Sequence, residues 1–302
     1  MIKKGLAAFI LLISIFSCKK EASKTSQEKV EIDTMSKTEH AKSLFRPVDT
    51  VCFSSNTTEN YIIALQWHKD KIIKKVAQNS PRQNDKLYED YIKIRNKYIL
   101  CLSENLVKVL IDYVNYYDSN SNSYKFPENV KKLAAELKKG DLEFREIGEG
   151  YTEIWSVPDH YFSIFRDNVT ADYNSYIEQL AKESEGLYSA DAGIVISWKE
   201  LGDRTIFWEN FISKYPQSLL LPRAKEIYDS YLTDYLLGMD NTPTHEHSDG
   251  TLYDENRKEF NRIIKKYPNS YVAKKSKELI SLFDAKVPDE EIHKKMMDRN
   301  SK

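Results

Sequence analysis

The chain has 302 residues, with 45 Lys plus Arg against 46 Asp plus Glu and a formal net charge of -1. Apolar residues make up 41%, enough for one or two cored domains, which excludes disorder throughout. The balanced charge excludes a general nucleic-acid binder, because there is no basic excess to displace counterions from phosphates. Only 9 residues are Gly, well below the usual ~7%. This disfavours glycine-rich phosphate loops and turn-dense β-sandwiches, and it points to a mainly α fold.

Lys3 and Lys4 precede an apolar run from Gly5 to Phe16 that is interrupted only by Ser14. A helix of ~12 residues spans ~18 Å, short of the ~30 Å hydrocarbon core of a bilayer. Residues 1–17 therefore predict a secretion signal, not a membrane span. The run ends Ile15-Phe16-Ser17-Cys18 and is followed at once by Lys19 and Lys20. This boundary resembles the lipobox of bacterial lipoproteins; the plain alternative is an ordinary signal peptide with an incidental cysteine. The resemblance implies that the signal is cut before Cys18 and that Cys18 is acylated and held in the lipid bilayer. Buried acyl chains contribute ~0.8 kcal/mol per CH₂, so several chains anchor stably. In enteric lipoproteins an Asp after the cysteine retains the protein in the inner membrane. Lys19 stands there instead, so the implied address is the bacterial cell envelope, at the outer membrane.

Residues 18–43 are rich in Lys, Glu, Ser and Thr and predict a solvated tether with a reach of ~25–30 Å. The rest divides into a helical domain over 44–200, a helical pair over 201–288 with an inserted loop at 238–252, and a charged tail at 289–302. Asn56-Thr57-Thr58-Glu59 predicts a capping box, and Ser80-Pro81 a stop for the helix that follows it. The apolar spacing from Leu87 to Tyr113 predicts one helix of about eight turns over 86–117. After a loop at 118–123, Phe126-Pro127-Glu128 starts another helix, and Gly140 ends it. Residues 142–157 surround Gly148-Glu149-Gly150 and predict a small β-hairpin. Short helices are expected at 159–166 and 171–184.

Two segments of the last third match at a constant offset of 52 positions. Trp208, Phe211, Ile212, Lys214-Tyr215-Pro216 and Ser218 correspond to Phe260, Ile263, Ile264, Lys266-Tyr267-Pro268 and Ser270; Ala224 then matches Ser276. Pro disfavours helical geometry in the residue before it, so each helix ends at Tyr. The small residue lets the next helix pack back closely. The pattern over 204–285 resembles the tetratricopeptide repeats of envelope lipoproteins and implies stacked helical hairpins in a tetratricopeptide-like array. The usual repeat is ~34 residues, and the excess falls in the 238–252 loop. Two unrelated hairpins sharing one stop signal are the alternative.

That loop holds His245, Glu246, His247 and Asp249. A solvated loop is the expectation; His245, His247 and Asp249 are the metal-ligand candidates that compete with it. His40, His68, His160 and His293 form no nucleophile pattern, and His68 and His160 predict structural roles. No phosphate loop, dinucleotide fingerprint or nucleophile elbow occurs, so no cofactor and no catalytic residue is expected. Cys52 and Cys101 stand equally well as one disulfide or as two buried thiols, since an oxidising compartment permits the bridge. The function expected is a membrane-anchored, non-enzymatic scaffold for a protein partner in the envelope. The rivals are a metal-dependent hydrolase of envelope polymers using residues 240–249, and a ligand-binding or inhibitor lipoprotein. The 20 Tyr suit the edges of a helical core, and Tyr113, Tyr116 and Tyr117 could instead line a groove.

Overall fold

The computed structural model describes residues 52 and 56–297. The expected signal at 1–17, Cys18, the expected tether at 18–43 and His40 lie outside the described residues. Among those described, the fold is mainly helical with five small two-stranded antiparallel sheets.

Helix α1 (Thr58–Val76) starts one residue later than the capping box proposed from sequence. Thr57 is the N-cap, and the reciprocal partner is Asn60 rather than Glu59: the Asn60 N–H donates to Thr57 Oγ1 at 3.3 Å and the Thr57 N–H to Asn60 Oδ1 at 2.9 Å. Ser80-Pro81 opens α2 (Pro81–Asn105) with a second capping box to Gln83, so the pair is a start signal as well as a stop. The eight-turn helix is not continuous. It breaks at Leu106 (φ -109°, ψ 11°), and α3 (Val107–Asp112) and a 3₁₀ turn at Tyr113–Tyr116 follow. Leu106 is itself buried, so the apolar rhythm runs through the break and hides it. The 118–123 segment is the turn of a tight ladder between β1 (Tyr117–Asp118) and β2 (Ser123–Tyr124).

Helix α4 (Glu128–Lys139) ends at Gly140, and β3 (Leu142–Gly148) pairs with β4 (Tyr151–Ser156) as the expected hairpin. Helices α5 (His160–Phe165) and α6 (Ala171–Glu183) follow, then β5 (Ser189–Ala190) and β6 (Gly193–Ile194). Two helical hairpins close the chain: α7 (Trp198–Lys214) with α8 (Leu221–Leu237), and α9 (Asp254–Lys266) with α10 (Tyr271–Asp284).

The two Tyr-Pro stops have the same backbone. Tyr215 sits at φ -123°, ψ 57° and Tyr267 at φ -131°, ψ 56°, each donating its N–H to the carbonyl four residues back. Lys214 Nζ lies 5.1 Å from the Tyr215 ring centre and Lys266 Nζ 5.0 Å from that of Tyr267. Both rings are half-buried, not fully buried, because one face serves as a platform for that wet ammonium. Ala224 and Ser276 are fully buried; the Ser276 hydroxyl is satisfied by donating to Val272 O at 2.8 Å. Close approach is also needed at Gly202, where a Cβ would stand 2.5 Å from Glu259 Oε1 and 2.9 Å from the Tyr235 ring.

The expected boundary at 200 does not divide the packing. One core joins Tyr88, Phe165 and Tyr173 to Trp208, Phe260 and Leu279. A smaller core holds Tyr61, Leu65, Leu102, Leu137 and Ile154 beneath a disulfide that links Cys52 to Cys101. The 289–302 segment is not merely a charged tail either. Residues Asp289–Met297 form α11, and Ile292 and Met296 are buried in the larger core.

Candidate functional site

The segment between the hairpins is folded rather than solvated. Gly238 (φ +80°) turns the chain out of α8; a Cβ there would stand 2.4 Å from Thr242 O, so only glycine fits. Two small ladders follow, β7 (Gly238–Met239) with β8 (Thr242–Pro243) and β9 (His245–Glu246) with β10 (Thr251–Leu252). Between them Thr244 is fully buried, its hydroxyl 3.2 and 3.3 Å from the carbonyls of Leu236 and Leu237 at the end of α8. This pins the neighbouring His245 inside the protein, against the Phe283 ring at 4.8 Å.

His245 and His247 are two apart on an extended chain and so project to the same side. Their rings lie 4.8 Å apart, edge to face. The acidic partner is not the expected Asp249, which is exposed and accepts from the Thr251 N–H at 2.9 Å in its own turn. It is Asp289, the first residue of α11. His245 Nε2 lies 3.1 Å from Asp289 Oδ1, and His247 Nδ1 lies 3.6 Å from Asp289 Oδ2. One helical turn further, His293 Nε2 is 3.6 Å from Asp289 Oδ1. The His245 side chain is 1% exposed. Burial pushes its pKa below the ordinary histidine value, against the opposing pull of Asp289. The His245 Nε2–Asp289 Oδ1 contact lacks hydrogen-bond geometry, and neither atom has another hydrogen-bond partner.

His160 is equally buried but differently placed. Its Nδ1 is 3.1 Å from Asp141 Oδ2 and its Nε2 2.9 Å from the Tyr91 hydroxyl. Lys69 Nζ reaches the same Asp141 oxygen at 2.7 Å. Burial lowers the His160 pKa to about 4, although the Asp141 hydrogen bond pulls it up. Burial would raise Asp141, but its bonds to His160 and Lys69 outweigh this and hold it at about 2. A neutral imidazole fits: Nδ1–H donates to the carboxylate and Nε2 accepts from Tyr91. His68, half-buried on α1, is lowered to about 4 by burial and then by Lys71.

Two further features escaped sequence reasoning. Glu183, whose pKa is raised by burial, accepts from Trp208 Nε1 at 3.0 Å, Tyr231 OH at 3.0 Å and Gln179 Nε2 at 2.7 Å, a fully bonded acid. A cavity of about 500 Å³ opens between the two hairpins, lined by Ile212, Tyr228, Leu232, Leu236, Tyr271 and Met296. The Tyr228 hydroxyl is buried there without a partner. Glu209, at the rim, accepts from the Tyr271 and Val272 N–H groups at 2.6 and 3.0 Å, tying the first hairpin to the start of α10. Tyr113 packs with Tyr124, Phe126 and Phe144 as the half-buried edge of the smaller core.

No protein-family model, no curated protein and no solved structure matches this chain.

Proposed function

We propose that the chain is a lipid-anchored, non-enzymatic scaffold of the bacterial cell envelope, held in the outer membrane by acylated Cys18. Its two C-terminal hairpins act as a tetratricopeptide-like surface for a protein partner. The reading rests on the cavity between the hairpins, an apolar cleft of about 500 Å³. An incoming peptide could bury apolar side chains on Leu232 and Leu236. Among the described residues no helix is long and apolar enough to cross a membrane, and the anchor proposed here needs none.

Two experiments test the halves separately. A photo-crosslinking residue at Leu232, used in intact envelopes, should give a discrete adduct that is missing when the same residue replaces exposed Lys277. Equal labelling at both positions, or none at Leu232, removes the scaffold reading. Cys18→Ser should abolish incorporation of radioactive palmitate and release the chain from membranes. Unchanged labelling removes the anchor.

A further inference from the structure

We propose that His245, His247 and Asp289 form a binding site for one transition-metal ion of the zinc class, with His293 as a fourth ligand. The site is independent of the scaffold reading. Its geometry comes first. The three donor atoms all lie within 4.8 Å of one another, and the two histidine–carboxylate distances are 3.1 and 3.6 Å. Around zinc, bonds of ~2.0–2.2 Å in tetrahedral array place neighbouring donors ~3.3 Å apart. The two histidine contacts fall on different oxygens of Asp289, and donor separations of up to 4.8 Å would have to shorten by about 1.5 Å to close on one ion, within reach of a rotation of the exposed His247.

The second observation is the unmet bonding of the buried atoms. His245 is 1% exposed, and its Nε2 is 3.1 Å from Asp289 Oδ1. That pair is an ion-pair contact without hydrogen-bond geometry, and Asp289 Oδ1 also lies 3.6 Å from His293 Nε2. Buried polar groups normally make well-aligned hydrogen bonds. A cation between them would take up both lone pairs at once, which the direct contact does not do with good geometry.

Donor chemistry sets the class. Imidazole with a single carboxylate suits zinc, copper or nickel; magnesium and calcium prefer sites made of oxygen. His293, 47% exposed and 3.6 Å from Asp289 Oδ1, lies on the open side of the cluster. Contacts behind the ligands fix them in place: the Phe283 ring packs against His245 at a tilt of 43°, and Thr244 Oγ1 is 3.4 Å from His245 Nδ1. Nearby Asp249 and Glu246 are engaged in their own turns, with Thr251 and Ser248 respectively. The ion would therefore clamp α11 to the segment between the hairpins.

Zinc alone is the probe. The full-length chain, purified in detergent and stripped with chelator, should bind one zinc per chain by calorimetry and by metal analysis after gel filtration. Zinc should raise Tm, and magnesium at the same concentration should not. His247→Ala changes an exposed side chain, so the fold is retained. That variant and Asp289→Asn should each weaken zinc binding by about ten-fold or more. The site is overturned if the wild-type chain binds no zinc, or if both variants bind it within a few-fold of wild type.

Discussion

His160 and His245 are both buried and both face an aspartate, yet the two regions use the pair differently. At His160 each ring nitrogen has a partner, Asp141 on one side and Tyr91 on the other, and Lys69 balances the carboxylate. The set is closed, and the imidazole works as a bracket between α2, α5 and the start of β3. At His245 the inner nitrogen and the facing oxygen meet at 3.1 Å without hydrogen-bond geometry, and two more imidazoles crowd the same carboxylate. Burial alone therefore does not distinguish a structural histidine from a ligand; what distinguishes them is whether the hydrogen bonding is complete.

The comparison breaks most easily at the closed set. His160→Ala should destabilise the chain by about 3–5 kcal/mol in urea melts, because it leaves a cavity, orphans the Tyr91 hydroxyl and leaves Asp141 with Lys69 alone. A loss under about 1 kcal/mol would mean the bracket is not structural. Acid is the next lever. His160 has a folded pKa of about 4 against an ordinary 6.5, so the unfolded chain binds the proton more tightly. The stabilisation is complete above pH ~6.5 and is lost as pH falls toward 4, by roughly 3 kcal/mol. His68 shares the window, so the test is the difference in slope between wild type and His160→Gln. Parallel slopes would refute the assignment.

Tyr91→Phe removes one partner and keeps the ring, and it should cost about 1–2 kcal/mol. The smallest effect is expected at the open set. Without metal, His247→Ala should stay within ~0.5 kcal/mol of wild type, as exposed substitutions usually do. Only added zinc should separate the two proteins. A large metal-free loss would show that His247 already completes a structural network, and the contrast between the two histidines would collapse.

Local signals were the legible ones. The Lys-Tyr-Pro stops, the Gly140 end, the 142–157 hairpin and the buried Ala224 and Ser276 all follow from short-range rules about proline, glycine and apolar spacing. The helix break at Leu106 was hidden because a buried leucine keeps the rhythm on either side of it. The site was half legible. His245 and His247 could be singled out because they sit together, but Asp249 competed as their acid on sequence proximity alone. Asp289 enters only when α11 folds back, and its one local mark is His293 a helical turn away. Cys52 and Cys101 posed the same difficulty, since a separation of 49 residues is compatible with a bond or with none.

The disulfide between Cys52 and Cys101 has a mechanical consequence. If the chain is held at Cys18, a pull that reaches Cys52 from the membrane side meets the disulfide there. The bond carries that tension directly into α2, near its C-terminal end, and so bypasses α1. Helix α1 is then spared from being unzipped turn by turn from Thr58, and the load falls as shear across the smaller core. Reducing this one bond should lower the force at which a single tethered molecule yields, with little change in its resting shape.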